Sequence, residues 1–411
     1  MAFAAGAASP LPPAEPAEVG VSPSRLARLH AFMDEATGPR GYLGGVTLVV
    51  RDGRIVDWRA YGHRDLARSE PMPRDAIFRL YSMTKTVASV AVLMLVEEGA
   101  IALDDPVADY LPELAEPRVL VGGSADAPQL RPAREAVTVR MLLTHTAGFP
   151  AGLEGDGEAA ELLERADPHA ASDLRGFVAR LAQVPLAAEP GKRFGYDGAA
   201  LEVLARLVEV VGGQPFDAFL QSRVLAPLRM HDTGFRVPDD QRGRVADITT
   251  MGEDGRLVRD DGPSAVRPGA PLNAYPSGAG GLYSTAGDYA RFCQMLLDGG
   301  ELDGVRILGR KTVELMLQNH LTMLDPPVTQ FSDAEGFGLG GYVVLDVAAR
   351  GRPGSVGQFG WAGAASTSFT IDPQERLVAI LMLQHLPRDG VDDLPRIGGR
   401  FQTLVYQSLE R

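Results

Sequence analysis

The chain has 411 residues, enough for two or three lobes with substantial cores, and its 45% hydrophobic and 23% charged residues are the balance of a soluble globular protein. A formal net charge of -13 argues against nucleic acid and anionic membrane as partners, because both would repel it. Cys293 is the only cysteine, which leaves no intramolecular disulfide, and its neighbours Phe292 and Met295 read as a helix core position rather than the surroundings of a nucleophile.

Residues 1–20, MAFAAGAASPLPPAEPAEVG, lack a basic leading region and carry four prolines between Pro10 and Pro16. They read as a flexible or polyproline arm, not a secretion signal. The longest apolar stretch, Val87 to Val96, is too short to span a bilayer. A cytoplasmic protein with no membrane partner is expected. Helical spacing at Leu26, Leu29 and Phe32 stops before Gly38, Pro39 and Gly41. Two β-rich runs then flank Asp52-Gly53, a strong hairpin signal, and Pro71 and Pro73 close the opening segment.

The stretch from Phe78 to Gly99, FRLYSMTKTVASVAVLMLVEEG, predicts a helix that begins near Ser82 and ends at Gly99. Ser82 and Lys85 stand three apart, a turn of about 300° that leaves them neighbours on one face, close enough to share a proton. A serine becomes a useful nucleophile only when its proton is removed, and a lysine can remove it only as the neutral amine. The positive end of the helix dipole and burial against the apolar run both disfavour the ammonium form. The plain alternative is a serine cap followed by an ordinary lysine, which puts a cation where the dipole repels it. Only Lys85, Lys192 and Lys311 among the 40 basic residues are lysine. Arginine could not replace lysine as a base, because it does not deprotonate at working pH. The spacing alone is a weak motif; the helix-start context strengthens it.

A short helix is expected over Val139 to Leu143, followed by a loop in which His145 reads as a residue that holds backbone groups rather than a partner for serine. Ala151 to Glu164, acidic and glycine-rich, reads as a surface loop leading into a helix. Helical spacing returns at Leu174, Phe177, Val178 and Leu181, and at Leu201, Leu204, Leu207, Val208 and Val211 before Gly212-Gly213. Tyr196 stands in the loop just before the second of these helices, where a side chain either enters a cleft or packs. Gly278 to Gly281, leading into a helix over Thr285 to Leu297, lacks the third glycine of a dinucleotide fingerprint. After Gly336 the pattern turns to strands, including a hairpin of Ser368 to Ile371 with Leu377 to Leu383, and a last helix from about Pro395 to Leu409.

The expected fold is α+β, an α/β sandwich. One antiparallel sheet is assembled from both termini (21–80 and 336–411) with helices on its faces. A mostly helical lobe, 81–335, is inserted and carries Ser82, Lys85 and Tyr196, with the cleft between lobes. There is no G-x-S-x-G elbow, no H-E-x-x-H and no phosphate loop, and the 7 histidines are scattered. A serine mechanism without metal or cofactor is the best-supported chemistry.

With Ser82-Met83-Thr84-Lys85, Tyr196 and the strand Gly360-Trp361-Ala362-Gly363 in chain order, the sequence resembles the serine β-lactamase-like, penicillin-recognising hydrolases, and within them the family VIII carboxylesterases. The likeness runs from about Val19 to the last helix and includes LLTHTAG and the Gly280-Gly281 loop with STAGDYARF. It implies that Ser82 is the nucleophile and that Lys85 and Tyr196 handle its proton, without deciding which is the base in acylation. It further implies that Trp361, Gly363 and Ala364 border the substrate, the Ala364 N–H pairing with that of Ser82 as an oxyanion hole. Antibiotic-hydrolysing relatives usually carry Tyr-x-Asn and Lys-Thr-Gly; here the triplets are Tyr196-Asp197-Gly198 and Trp361-Ala362-Gly363. A small uncharged acyl ester is therefore the expected substrate. Acyl transfer, amide or D-amino-acid peptide or β-lactam hydrolysis, and a non-catalytic penicillin-binding-like scaffold are the alternatives. The oligomeric state is open.

Overall fold

The structure, a computed structural model, describes residues 11–151, 156–388 and 392–410. Asp52 and Gly53 adopt left-handed backbone (φ 50° and 73°), the conformation that a tight hairpin turn needs, and join strands β1 (Gly44–Arg51) and β2 (Arg54–Gly62). Five strands follow from the far end of the chain: β3 (Glu335–Phe337), β4 (Tyr342–Val344), β5 (Phe359–Ala362), β6 (Ser368–Asp372) and β7 (Leu377–Leu383). Together they make one 7-stranded antiparallel sheet in the order β3-β4-β5-β6-β7-β1-β2. The seam between the two ends of the chain is the β1–β7 ladder, paired from Gly45 with Leu383 to Arg51 with Leu377. The α+β class read from the sequence is the one observed.

Strand β7 is apolar throughout because both of its faces are covered. Val378, Ile380 and Met382 join Val46, Leu48 and Val50 in one core. Leu377, Ala379, Leu381 and Leu383 join Val49 and Val56 in a second, beneath Leu26, Leu29 and Met33 of the Pro23–Ala36 helix and Phe401 and Val405 of the Gly398–Tyr406 helix. Each such side chain contributes about 1.5–3 kcal/mol by leaving water. The opposite face of the sheet receives the Ala286–Leu297 helix, which lies within the 81–335 stretch of sequence, and Cys293 is fully buried there.

Residues 11–20 correct the expectation of a free arm. Leu11 is buried, the Ile55 N–H donates to the Pro12 carbonyl and the Ala14 N–H donates to the Ile55 carbonyl, so this stretch covers the outer edge of β2. Residues 1–10 of the arm and 152–155 of the acidic loop lie outside the described residues; the helix after that loop runs Gly157–Ala166.

The 81–335 stretch centres on the Thr84–Glu97 helix, buried on all sides from Thr84 to Leu95 and ended by Gly99 at φ 69°. It packs against the Ala199–Gly212 helix, which also meets the Leu174–Leu181 and Val139–Leu143 helices. The bounds of the last two follow their apolar spacing, and each start is capped: Thr138 Oγ1 accepts the Met141 N–H, and Asp173 Oδ1 accepts the Gly176 N–H. Among the described residues no helix is long and apolar enough to cross a membrane.

Candidate active site

Phe78–Arg79 pairs with Tyr283–Ser284 in a two-residue ladder, which fixes the chain just before the Thr84–Glu97 helix against the end of the Gly278–Gly281 loop. Arg79 reinforces that junction. Its buried guanidinium donates to the carbonyls of Gly281 (2.9 Å) and Ala270 (2.6 Å) and to the Tyr283 hydroxyl (2.7 Å). The Gln384 side chain, just past β7, bonds both the N–H and the carbonyl of Arg79, at 3.0 and 3.1 Å. The backbone then turns sharply: Tyr81 sits at φ 46°, a conformation that costs a bulky residue about 1–3 kcal/mol, and Ser82 follows half-buried in a short 3-10 turn, Tyr81–Met83.

Lys85 Nζ lies 3.2 Å from Ser82 Oγ and donates to the Ala279 carbonyl at 2.8 Å, with the side chain only 4% exposed. With one N–H spent on that carbonyl, a neutral amine keeps its lone pair for the serine proton. The same Nζ lies 5.1 Å from the centre of the Tyr196 ring. Tyr196 is pinned by its neighbours in sequence. The Gly195 N–H donates to the His145 carbonyl, Asp197 Oδ2 lies 3.2 Å from His145 Nδ1, and Asp197 Oδ1 accepts the Ala200 N–H that opens the next helix. Burial pushes the His145 pKa below its usual range, so this ring is a neutral strut. The ring also stands 3.4 Å from the Asp197 N–H, the backbone-holding role expected from sequence; its contact with the Asp197 carboxylate is new.

On the sheet side, β5 runs beside the Ser82 turn. Gly363 explains how closely: a β-carbon there would stand 2.2 Å from the Leu80 carbonyl oxygen and 2.3 Å from Thr367 Oγ1. Ala364, next in the chain, is exposed, and its N–H takes no backbone acceptor among the described residues. Trp361 Nε1 donates to the Tyr196 hydroxyl at 3.2 Å, the two rings 5.0 Å apart. Phe337 and Phe331 extend this aromatic wall, at 5.1 and 6.2 Å from Trp361, and Gln330 Oε1 accepts the Tyr196 N–H. Ser82, Lys85, Tyr196, Trp361, Gly363 and Ala364 thus belong to one connected neighbourhood. Sequence reasoning missed Arg79, Gln384 and the buried Glu202 behind the Gly278–Gly281 loop; a lone acid between Leu201 and Val203 on an apolar helix was the available signal for the last. Among the described residues no group of three His, Cys, Asp or Glu side chains is disposed to hold a metal ion.

Comparison with known proteins places this arrangement in context. The profile of the family described as Beta-lactamase matches residues 29–399. Protein Rv1367c of Mycobacterium tuberculosis is 37% identical over 368 residues, covering 87% of this chain and 89% of that protein. Esterase EstB of Burkholderia gladioli is 34% identical over 388 residues, covering 90% and 92%. The solved structure of EstCE1, "a hydrolase with promiscuous acyltransferase activity", superposes with a TM-score of 0.76 at 26% identity, covering 94% of this chain and 99% of that one.

Proposed function

The chain belongs to the beta-lactamase family, and on that premise we propose that it is a serine esterase acting on short-chain acyl esters through an acyl-Ser82 intermediate. The observation that carries the reading is the approach of Lys85 Nζ to Ser82 Oγ, 3.2 Å, while Nζ is tethered to the Ala279 carbonyl. In acylation Ser82 Oγ bonds to the ester carbonyl carbon and its proton passes to the Lys85 amine. The oxygen that becomes negative is held by the N–H groups of Ser82 and Ala364; one such donor lowers the barrier by about 3 kcal/mol. The C–O bond to the alcohol then breaks, and the alcohol leaves with a proton delivered through Lys85 and the Tyr196 hydroxyl. Water repeats the sequence in reverse roles, giving the carboxylic acid and restoring Ser82. The likeness to EstB supports the ester preference, as does the apolar Trp361 where antibiotic-hydrolysing relatives carry lysine. Within this reading the lobes are 21–80 with 336–411, and 81–335.

Intact-mass spectrometry during turnover of a slow ester, or after a serine-directed phosphonate, is expected to show one adduct on the peptide containing Ser82. An adduct elsewhere overturns the reading. Acyl transfer is the second reading, favoured by the likeness to EstCE1. Adding a primary alcohol during turnover of an acyl ester distinguishes it, through a new ester whose yield rises with acceptor concentration.

A further inference from the structure

The Ala199–Gly212 helix lays an apolar face on the Thr84–Glu97 helix, with one residue out of character. Glu202 is 0% exposed and forms no ion pair among the described residues. Its Oε1 accepts from Ser277 Oγ at 2.5 Å and its Oε2 accepts the Gly278 N–H at 2.9 Å, while the Gly280 N–H donates back to Ser277 Oγ at 3.1 Å. The Ala279 N–H also bonds the carboxyl group. Gly278 lies flat on the same helix, since a β-carbon there would stand 2.5 Å from the Leu201 carbonyl oxygen. One carboxyl group therefore shapes the whole turn from Ser277 to Gly280, and the residue at its crest, Ala279, presents the carbonyl that takes Lys85 Nζ.

We propose that Glu202 is the positioning residue for acylation: it holds the Ser277–Gly280 turn so that the Ala279 carbonyl fixes Lys85 against Ser82, and it sets a negative charge behind the lysine amine. This rests on the reading of Ser82 and Lys85 as the acylating pair. Three donors converge on the two oxygens of Glu202, a demand that a carboxylate meets and an amide, with one acceptor oxygen, does not. The ionisable groups whose fields reach Glu202 are Lys85, from the neighbouring helix, and Tyr275, on the approach to the turn, whose hydroxyl lies 2.8 Å from His169 Nδ1 and whose proton is held by burial. Burial pushes Glu202 itself up to about 7, against the pull of its hydrogen bonds and of Lys85, so its charge changes in the neutral range.

Two substitutions separate positioning from charge. Glu202→Gln keeps the size of the side chain but turns one acceptor into a donor facing donors, and removes the negative charge that favours a proton on the Ser82–Lys85 pair. Its kcat is expected to fall about tenfold with KM within about twofold, because substrate contacts are untouched while a catalytic group is displaced. Its acid limb of kcat/KM is expected to move to lower pH by about one unit, the low end of what a neighbouring charge does. Ser277→Ala loosens the turn and keeps the carboxyl group but removes a hydrogen bond that favours its charged form, so kcat falls while the limb moves less than in Glu202→Gln. The experiment is the pH profile of p-nitrophenyl acetate hydrolysis for both variants and the unaltered protein, with thermal melting as the check on folding and phosphonate labelling of Ser82 in the unaltered protein run first. No label on Ser82 overturns the esterase reading. A labelled Ser82 with the Glu202→Gln limb unmoved, at whatever rate, overturns the role of Glu202 alone. If Glu202→Gln does not fold, Ser277→Ala decides, and an unchanged kcat overturns the proposal.

Discussion

The two sides of the candidate site are built by different means. On the helix side, Lys85 is tied to Ala279, the turn around Ala279 to Glu202, and the end of that turn to Arg79 through the Gly281 carbonyl, all by hydrogen bonds of 2.5–2.9 Å made by buried side chains. On the sheet side, Tyr196, Trp361, Phe331 and Phe337 meet ring against ring at 5.0–6.2 Å. A buried polar network has one satisfied arrangement, and leaving a member unpaired costs about 1–3 kcal/mol. An aromatic contact is worth about 0.5–1.5 kcal/mol beyond its buried area and survives a change of partner. On the proposed reading Ser82 and Lys85 stand on the wall that admits one geometry, Tyr196 belongs to both the chemistry and the aromatic wall, and Trp361, Phe331 and Phe337 are the part that can be repacked around a substrate.

If so, substitutions on the polar wall should lower turnover for every substrate, and those at Trp361 and Phe331 on the aromatic wall should reorder substrates. The largest effect is expected for Ser82→Ala, a loss of kcat on the order of 10⁴-fold or more, measured with p-nitrophenyl acetate and p-nitrophenyl butyrate alike; residual turnover within tenfold of the unaltered protein would remove Ser82 from the chemistry. Next comes Lys85→Arg. It keeps the positive charge but cannot accept a proton, so kcat should fall at least about a hundredfold, close to the loss in Lys85→Ala. Near-normal turnover would show that the lysine only supplies potential.

On the other wall, Trp361→Lys restores an ammonium able to hold a carboxylate, a charge-assisted bond worth about 1.5–3 kcal/mol. The ratio of kcat/KM for nitrocefin to that for p-nitrophenyl butyrate should rise roughly tenfold to a hundredfold, and an unchanged ratio would detach this strand from substrate. The smallest effect belongs to Phe331, which is 56% exposed at the mouth of the aromatic wall. Phe331→Ala should reduce kcat/KM for longer acyl chains by about twofold to tenfold, the worth of one ring contact, leaving acetate turnover and the melting temperature nearly unchanged.

Legibility in the sequence followed the range of the interactions. Ser82 and Lys85 are neighbours within one helical turn, so spacing alone brings them together. The Asp52-Gly53 hairpin and the Val139–Leu143 and Leu174–Leu181 helices are equally local. The sheet shared by both termini was legible because β7 reads as an uninterrupted apolar run with a turn before it. Tyr196 was singled out first by its place in a loop just before a helix and then, with Trp361, by the order of motifs in the resemblance, not by any contact that spacing could predict. Ala279 left no trace, since it contributes a carbonyl group, which every residue has. Glu202 and Ser277 are 75 positions apart, and only the packed chain joins them. The Arg118–Ser124 and Ala127–Pro132 hairpin was missed for another reason: most of its residues face solvent on both sides, so no alternation marks it.

Gly363 sets a boundary for anyone who wants to recast this cleft by directed evolution. The clearance above its α-carbon is filled by the backbone of the nucleophile turn at Leu80 and by Thr367. Neither can step aside without carrying Ser82 along or opening the β5–β6 corner. Ala362 and Ala364, on either side, face open space. A library randomised over 361–364 should therefore return active clones with many letters at 361, 362 and 364 and one letter at 363, so that a designer gains nothing by spending codons there.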